Sequence, residues 1–143
     1  MTSVAFHFNA PAKLAYACRL LRKAASSGST VAVLGDDATL AKLDEQLWSF
    51  SALDFVPHGR IGSLSEQQLS LTPIWLCTNA AEGQSRQVLV NLTAAVPAGF
   101  EIFERVIEVV GQDEADRQSA RLRWKHYSDQ QIAIVRHDLN LAS

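Results

Sequence analysis

Thr30-Val31-Ala32-Val33-Leu34 is an unbroken apolar run with no alternation. A strand that faces water on one side alternates; one covered on both faces does not. This run therefore demands a sheet with helices on each side. Its neighbours supply them. Val4-Ala5-Phe6-His7-Phe8 reads as a first strand, and Leu14, Ala17, Cys18, Leu21 and Ala25 fall at helical spacing between 12 and 26. Asn9 is expected to cap that helix and Pro11 to enter its first turn. Ser26-Ser27-Gly28 stops it. Gly35-Asp36-Asp37 opens a second helix, with Leu40, Leu43, Leu47 and Trp48 on one side, running to about Ser49. The βαβα order predicts an α/β fold: one three-layer domain over 1–143, with a Rossmann-like, mostly parallel sheet flanked by helices.

The second half reads less regularly. Residues 59–72 are polar and glycine-containing and read as a long connection with one short helical turn. Strands are expected at 73–77 and 87–92, with a polar turn at 80–85. Phe103, Val106, Ile107 and Val110 are spaced as on a helix, which predicts a short helix over 100–109. The last long helix, 112–128, starts acidic (Asp113, Glu114, Asp116) and continues basic (Arg117, Arg121, Arg123, Lys125), matching the helix dipole. Residues 131–137 have strand character and read as a possible terminal edge strand.

The chain of 143 residues carries a formal charge of -2, so any anion-binding role must come from a local patch. Cys18 and Cys77 lie far apart in apolar segments and read as reduced core thiols. No basic and apolar leader and no membrane-length apolar run occur, so a cytoplasmic protein is expected. The two β–α turns, Phe8-Asn9-Ala10-Pro11-Ala12 and Leu34-Gly35-Asp36-Asp37, lack a dinucleotide fingerprint, and the second would repel a phosphate. No GxxxxGK[ST] and no GxSxG is present. No cofactor is expected. An enzyme using Asp36, Asp37 and His58 with a metal or nucleotide stays open as an alternative, and so does a direct binder of single-stranded DNA.

Two constellations remain. Arg117, Arg121, Trp124, Lys125 and Ser128 are spaced i, i+4, i+7, i+8 and i+11 and share one helix face. No acid occurs between Arg117 and Tyr127. Ala120, Trp124 and Tyr127 make an apolar stripe bordered by the cations, with Trp124 at the seam. A basic row beside an aromatic can receive an acidic peptide that also carries a ring. The second constellation is "LWSFSALDFVPHG", residues 47–59, too aromatic for an ordinary loop. Its surplus apolar area reads as a docking surface for another chain.

These stretches carry a family resemblance. "LDEQLWSFSALDFVPHG" at 43–59, with its LW and FVPH elements, resembles the chi subunit family of bacterial DNA polymerase III. "RLRWKHY" at 121–127, "LVNLTAAVPAGFEIFERVIEVV" at 89–110, "VAFHF" and "ACRLLRKAASSGSTVAVL" fit in the same order. The resemblance implies a non-catalytic accessory subunit of the clamp loader, active in DNA replication. It implies pairing with the psi subunit through Trp48, Phe55, Val56 and Pro57. It also implies binding of the acidic C-terminal tail of single-stranded DNA-binding protein through Arg121, Trp124 and Lys125, on the helix face whose spacing adds Arg117 and Ser128. Contact with single-stranded DNA would then be indirect. Trp124 stands where the family can carry a tyrosine.

Overall fold

The computed structural model describes residues 2–49 and 57–139. Seven strands, all parallel in their pairings, form one sheet: β1 (Ser3–Ala10), β2 (Val31–Leu34), β3 (His58–Arg60), β4 (Ile74–Cys77), β5 (Val88–Asn91), β6 (Arg105–Gly111) and β7 (Ile134–Asp138). Their order is β3-β4-β2-β5-β6-β1-β7. The helices are α1 (Lys13–Ser26), α2 (Asp37–Ser49), α3 (Glu66–Ser70) and α4 (Glu114–Asp129). Short 3-10 turns lie at Ala80–Gly83 and Phe100–Ile102.

Two apolar clusters sandwich the sheet, as its unalternating strands require. On one face Leu21, Leu40, Leu43 and Leu47 of α1 and α2 pack on Val31, Val33, Leu76, Val90 and Ile107. On the other, Ala120 and Tyr127 of α4, with Phe100 and Phe103, pack on Phe6, Leu34, Leu89, Val106 and Val110. This is the expected three-layer α/β architecture. Gly83 shows how tightly the second face is filled: a Cβ there would lie 2.5 Å from the Cβ of Ala32.

The segment 100–109 is not a helix. After a single 3-10 turn it runs as β6, between β5 and β1. Val106, Ile107, Val109 and Val110 are all buried, because a strand covered on both faces has no polar side. Its apolar residues therefore match a helical template by coincidence, and the β-branched composition decides for strand. Asn9 does not cap α1. It sits at φ 64° inside β1 and donates from Nδ2 to Asp138 Oδ1 at 2.8 Å, while Ala12 takes the N-cap position without a side-chain bond. The 59–72 connection begins with the last residues of the edge strand β3, too short and glycine-containing to show a period. It also contains α3, opened by a Ser65–Gln68 capping box. Residues 134–138 do form a strand, β7, paired with β1 at the sheet edge.

His7 is 7% exposed in β1, with Nδ1 bonded to the Tyr16 hydroxyl. Burial first, and then the charges of His137, Arg105 and Lys23, lower its pKa to about 4. The imidazole is therefore neutral in the fold and takes a proton more readily once unfolded. Its contribution is fully present above pH 6.5 and is lost as pH falls toward about 4, up to about 3 kcal/mol. Chemical denaturation of the wild type and His7→Gln across that window is expected to show a shallower loss of stability in the variant; parallel curves would refute it.

Candidate functional site

β1 and β7 pair Phe6 with Arg136 and Phe8 with Asp138. Alternation along parallel strands brings Phe6, Phe8 and Arg136 to the α4 face. Helix α4 crosses that face, anchored by a buried network. Glu108 of β6 is fully buried and accepts from Arg123 Nε at 2.9 Å, from the Tyr127 hydroxyl at 2.7 Å and from Asn91 Nδ2 at 3.0 and 3.1 Å. Arg123 Nη1 also donates to the Ala94 carbonyl and to Ser119 Oγ. Burial pushes the Glu108 carboxyl up, against the pull of Arg123 and the other donors. Arg123, 1% exposed, thus belongs to the interior and not to the basic row in which its sequence position places it.

With Arg123 and Tyr127 pointing into the protein, α4 turns Arg117, Arg121 and Trp124 toward the sheet edge. They line a groove of about 450 Å³ together with Phe6, Phe8 and Arg136. Trp124 is half-buried, its ring centroid 5.0 Å from that of Phe6 and tilted by 49°. The Arg136 guanidinium lies 5.7 Å from the Trp124 ring and 5.3 Å from the Phe8 ring, within cation–π reach of both. No carboxylate lines the groove among the described residues. Arg121 reaches Glu114 at 3.3 Å, but both are more than half exposed, so that pair is weak competition for a ligand. The groove can hold an anion on its guanidiniums and a flat or apolar group against its rings. Lys125 and Ser128 lie on the same helix, exposed, and do not line it. Arg136 was not among the residues singled out in the sequence. Its only signal there was the strand character of 131–137.

The second candidate surface lies at the other end of the sheet. Trp48, at the end of α2, is 60% exposed. Its ring meets the His58 ring edge-on, centroids 5.5 Å apart, and His58 is held at Nε2 by Asp44 Oδ1 at 2.9 Å. The base of the indole thus rests on a fixed neighbour while much of its surface stays outside. Pro57, immediately before β3, is exposed. Phe55 and Val56 lie outside the described residues.

Asp36, Asp37 and His58 do not converge. Asp36 Oδ1 accepts from the Thr39 amide and caps α2, Asp37 pairs with Arg60, and His58 faces Asp44. The cleft at the C-terminal ends of β1 and β6, where Rossmann-like folds place phosphates, is also committed. The Gly111 amide donates to Asp116 Oδ2, the Asp116 amide donates to Asp113, and Lys13 pairs with Asp116 at 3.2 Å. Its own carboxylates already occupy the donors that a phosphate would use. Among the described residues no three His, Cys, Asp or Glu side chains gather as a metal set, and no helix is long and apolar enough to cross a membrane.

Comparison with known proteins agrees with this layout. The C-terminal domain of the DEAD-box protein Dbp5 superposes with a TM-score of 0.62 at 14% identity, covering 98% of this chain and 91% of that one, a likeness of fold alone. The DNA polymerase III subunit chi of Pseudomonas aeruginosa is 36% identical over 129 residues, 90% of this chain and 87% of that protein. The Escherichia coli chi subunit is 27% identical over 111 residues, covering 77% and 74%. The family model described as DNA polymerase III chi subunit, HolC, matches residues 1–135. The chain belongs to the DNA polymerase III chi subunit family.

Proposed function

We propose that the chain is a non-catalytic adaptor of the DNA polymerase III holoenzyme with two docking surfaces. Through Trp48, Phe55, Val56 and Pro57 it pairs with the psi subunit. Through the α4–β7 groove it holds the acidic C-terminal tail of single-stranded DNA-binding protein, and reaches single-stranded DNA through that protein. The observation that carries the tail reading is the groove itself: Arg117, Arg121 and Arg136 surround Phe6, Phe8 and Trp124, with no lining carboxylate among the described residues. Guanidiniums bind carboxylates in forked pairs, and the rings offer a seat for an aromatic residue. Lys125, one turn beyond Arg121, extends the positive field along the helix.

Titration calorimetry with a peptide of the tail tests it. Arg121→Ala removes a charge-assisted bond of about 1.5–3 kcal/mol and is expected to weaken the peptide roughly ten- to a hundred-fold. Added salt is expected to weaken the wild-type complex. Unchanged affinity in Arg121→Ala would remove the groove from this role.

A further inference from the structure

The opposite face of the same sheet edge carries a second groove, of about 710 Å³, enclosed by α1, β6, β1 and β7. Arg19 and Lys23 border it from α1, Arg105 from β6 and His137 from β7; Arg136 also lines it, but its guanidinium lies over the Phe8 and Trp124 rings on the α4 side. Asp138 is the one carboxylate on its lining among the described residues, and its Oδ1 accepts from Asn9. For a chain with a net charge of -2 this is a marked local excess of cations. Leu20, Ala24, Val88 and Ile107 give it an apolar floor.

His7 is built into the wall. Its Nε2 is buried without a hydrogen-bond partner, and the His137 ring lies 4.6 Å away. Burial first, and after it His137, Arg105 and Lys23, disfavour a proton on this imidazole. The cations gathered around this wall favour an anion in front of it.

We propose that this groove binds the phosphodiester backbone of single-stranded nucleic acid, with Lys23, Arg19 and Arg105 neutralising phosphates and the bases resting on the apolar floor. The α4 groove has a slot of three aromatic rings suited to one anchoring side chain. This one has cations from two elements, Arg19 and Lys23 of α1 and Arg105 of β6, around a wider concavity, which suits a repeating anion. Membership of a DNA polymerase subunit family puts such a strand within reach. The proposal does not depend on the tail reading.

Fluorescence anisotropy of labelled oligothymidylate with the full chain, at low and high salt, is the test. Three neutralised phosphates correspond to a slope of log affinity against log salt of about -2, so a tenfold rise in salt weakens binding about a hundred-fold. Lys23→Glu with Arg105→Glu is expected to lower affinity at least about tenfold while keeping tail-peptide binding. Should that pair fold poorly, Arg19→Gln with Lys23→Gln, both exposed on α1, is expected to act in the same direction. The inference is overturned if the wild type binds no oligonucleotide at low salt, or if binding is lost in Arg121→Glu and kept in Lys23→Glu/Arg105→Glu. Displacement of the oligonucleotide by an equal concentration of oligoglutamate would also overturn it, assigning the groove to acidic peptide. Loss of tail binding alone would leave it standing.

Discussion

Trp48→Ala is expected to abolish retention of the psi subunit on an affinity column while the chain stays folded. The indole is 60% exposed, so its removal takes little area out of the core. The edge-on contact with His58 that the fold loses is worth about 0.5–1.5 kcal/mol. What a covered interface loses is far larger. A tryptophan at the centre of an interface typically costs 2–4 kcal/mol on truncation, a loss of roughly 30- to 1000-fold in affinity. Psi co-purifying undiminished with Trp48→Ala, or a variant that no longer folds, would refute the docking reading. In the second case the indole would be shown to support the fold instead.

Arg123→Met is expected to lower the melting temperature by about 10–15 °C. The substitution keeps most of the side chain's volume but leaves Glu108 buried, with its guanidinium partner gone. Breaking one half of a buried ion pair costs about 3–5 kcal/mol, which a domain of this size reads as a shift of that order. The pair itself adds little over a well-packed apolar substitute, and Arg123 Nη2 already lacks a partner. The double variant Glu108→Leu with Arg123→Met is therefore expected to regain much of the loss. A single variant melting within a few degrees of the wild type would show that the network is not holding α4. The network also bears on function. Arg123 and Tyr127 set the rotation of α4, and with it the direction of Arg117, Arg121 and Trp124. Arg123→Met is thus expected to weaken the tail peptide without touching the groove.

Periodicity alone located β1, α1, β2, α2, β4, β5 and α4, because each has a clear apolar stripe or a short apolar run between turn residues. It misread 100–109 because the central strand β6 has no polar side, and Val106-Ile107-Glu108-Val109-Val110 satisfies two templates at once. The basic row of α4 was legible as spacing, but Arg123 could not be separated from Arg121. That distinction needs Glu108 to lie beneath the helix, a contact across 15 residues that spacing does not encode. Arg136 was invisible for the same reason: it enters the groove only because β7 pairs with β1, at the far end of the chain. The interaction of His58 with Asp44 and Trp48 likewise depends on β3 returning to the sheet edge beside the end of α2.

Trp48 stands at the β3 end of the sheet and Trp124 at the β7 end, with five strands between those edges. The two surfaces should therefore work at the same time. Sedimentation velocity on a mixture of the chain, psi and fluorescent tail peptide tests this most directly. One species carrying both partners is expected, losing only psi in Trp48→Ala and only the peptide in Arg121→Glu. Psi expelling the peptide, or one substitution releasing both, would contradict it.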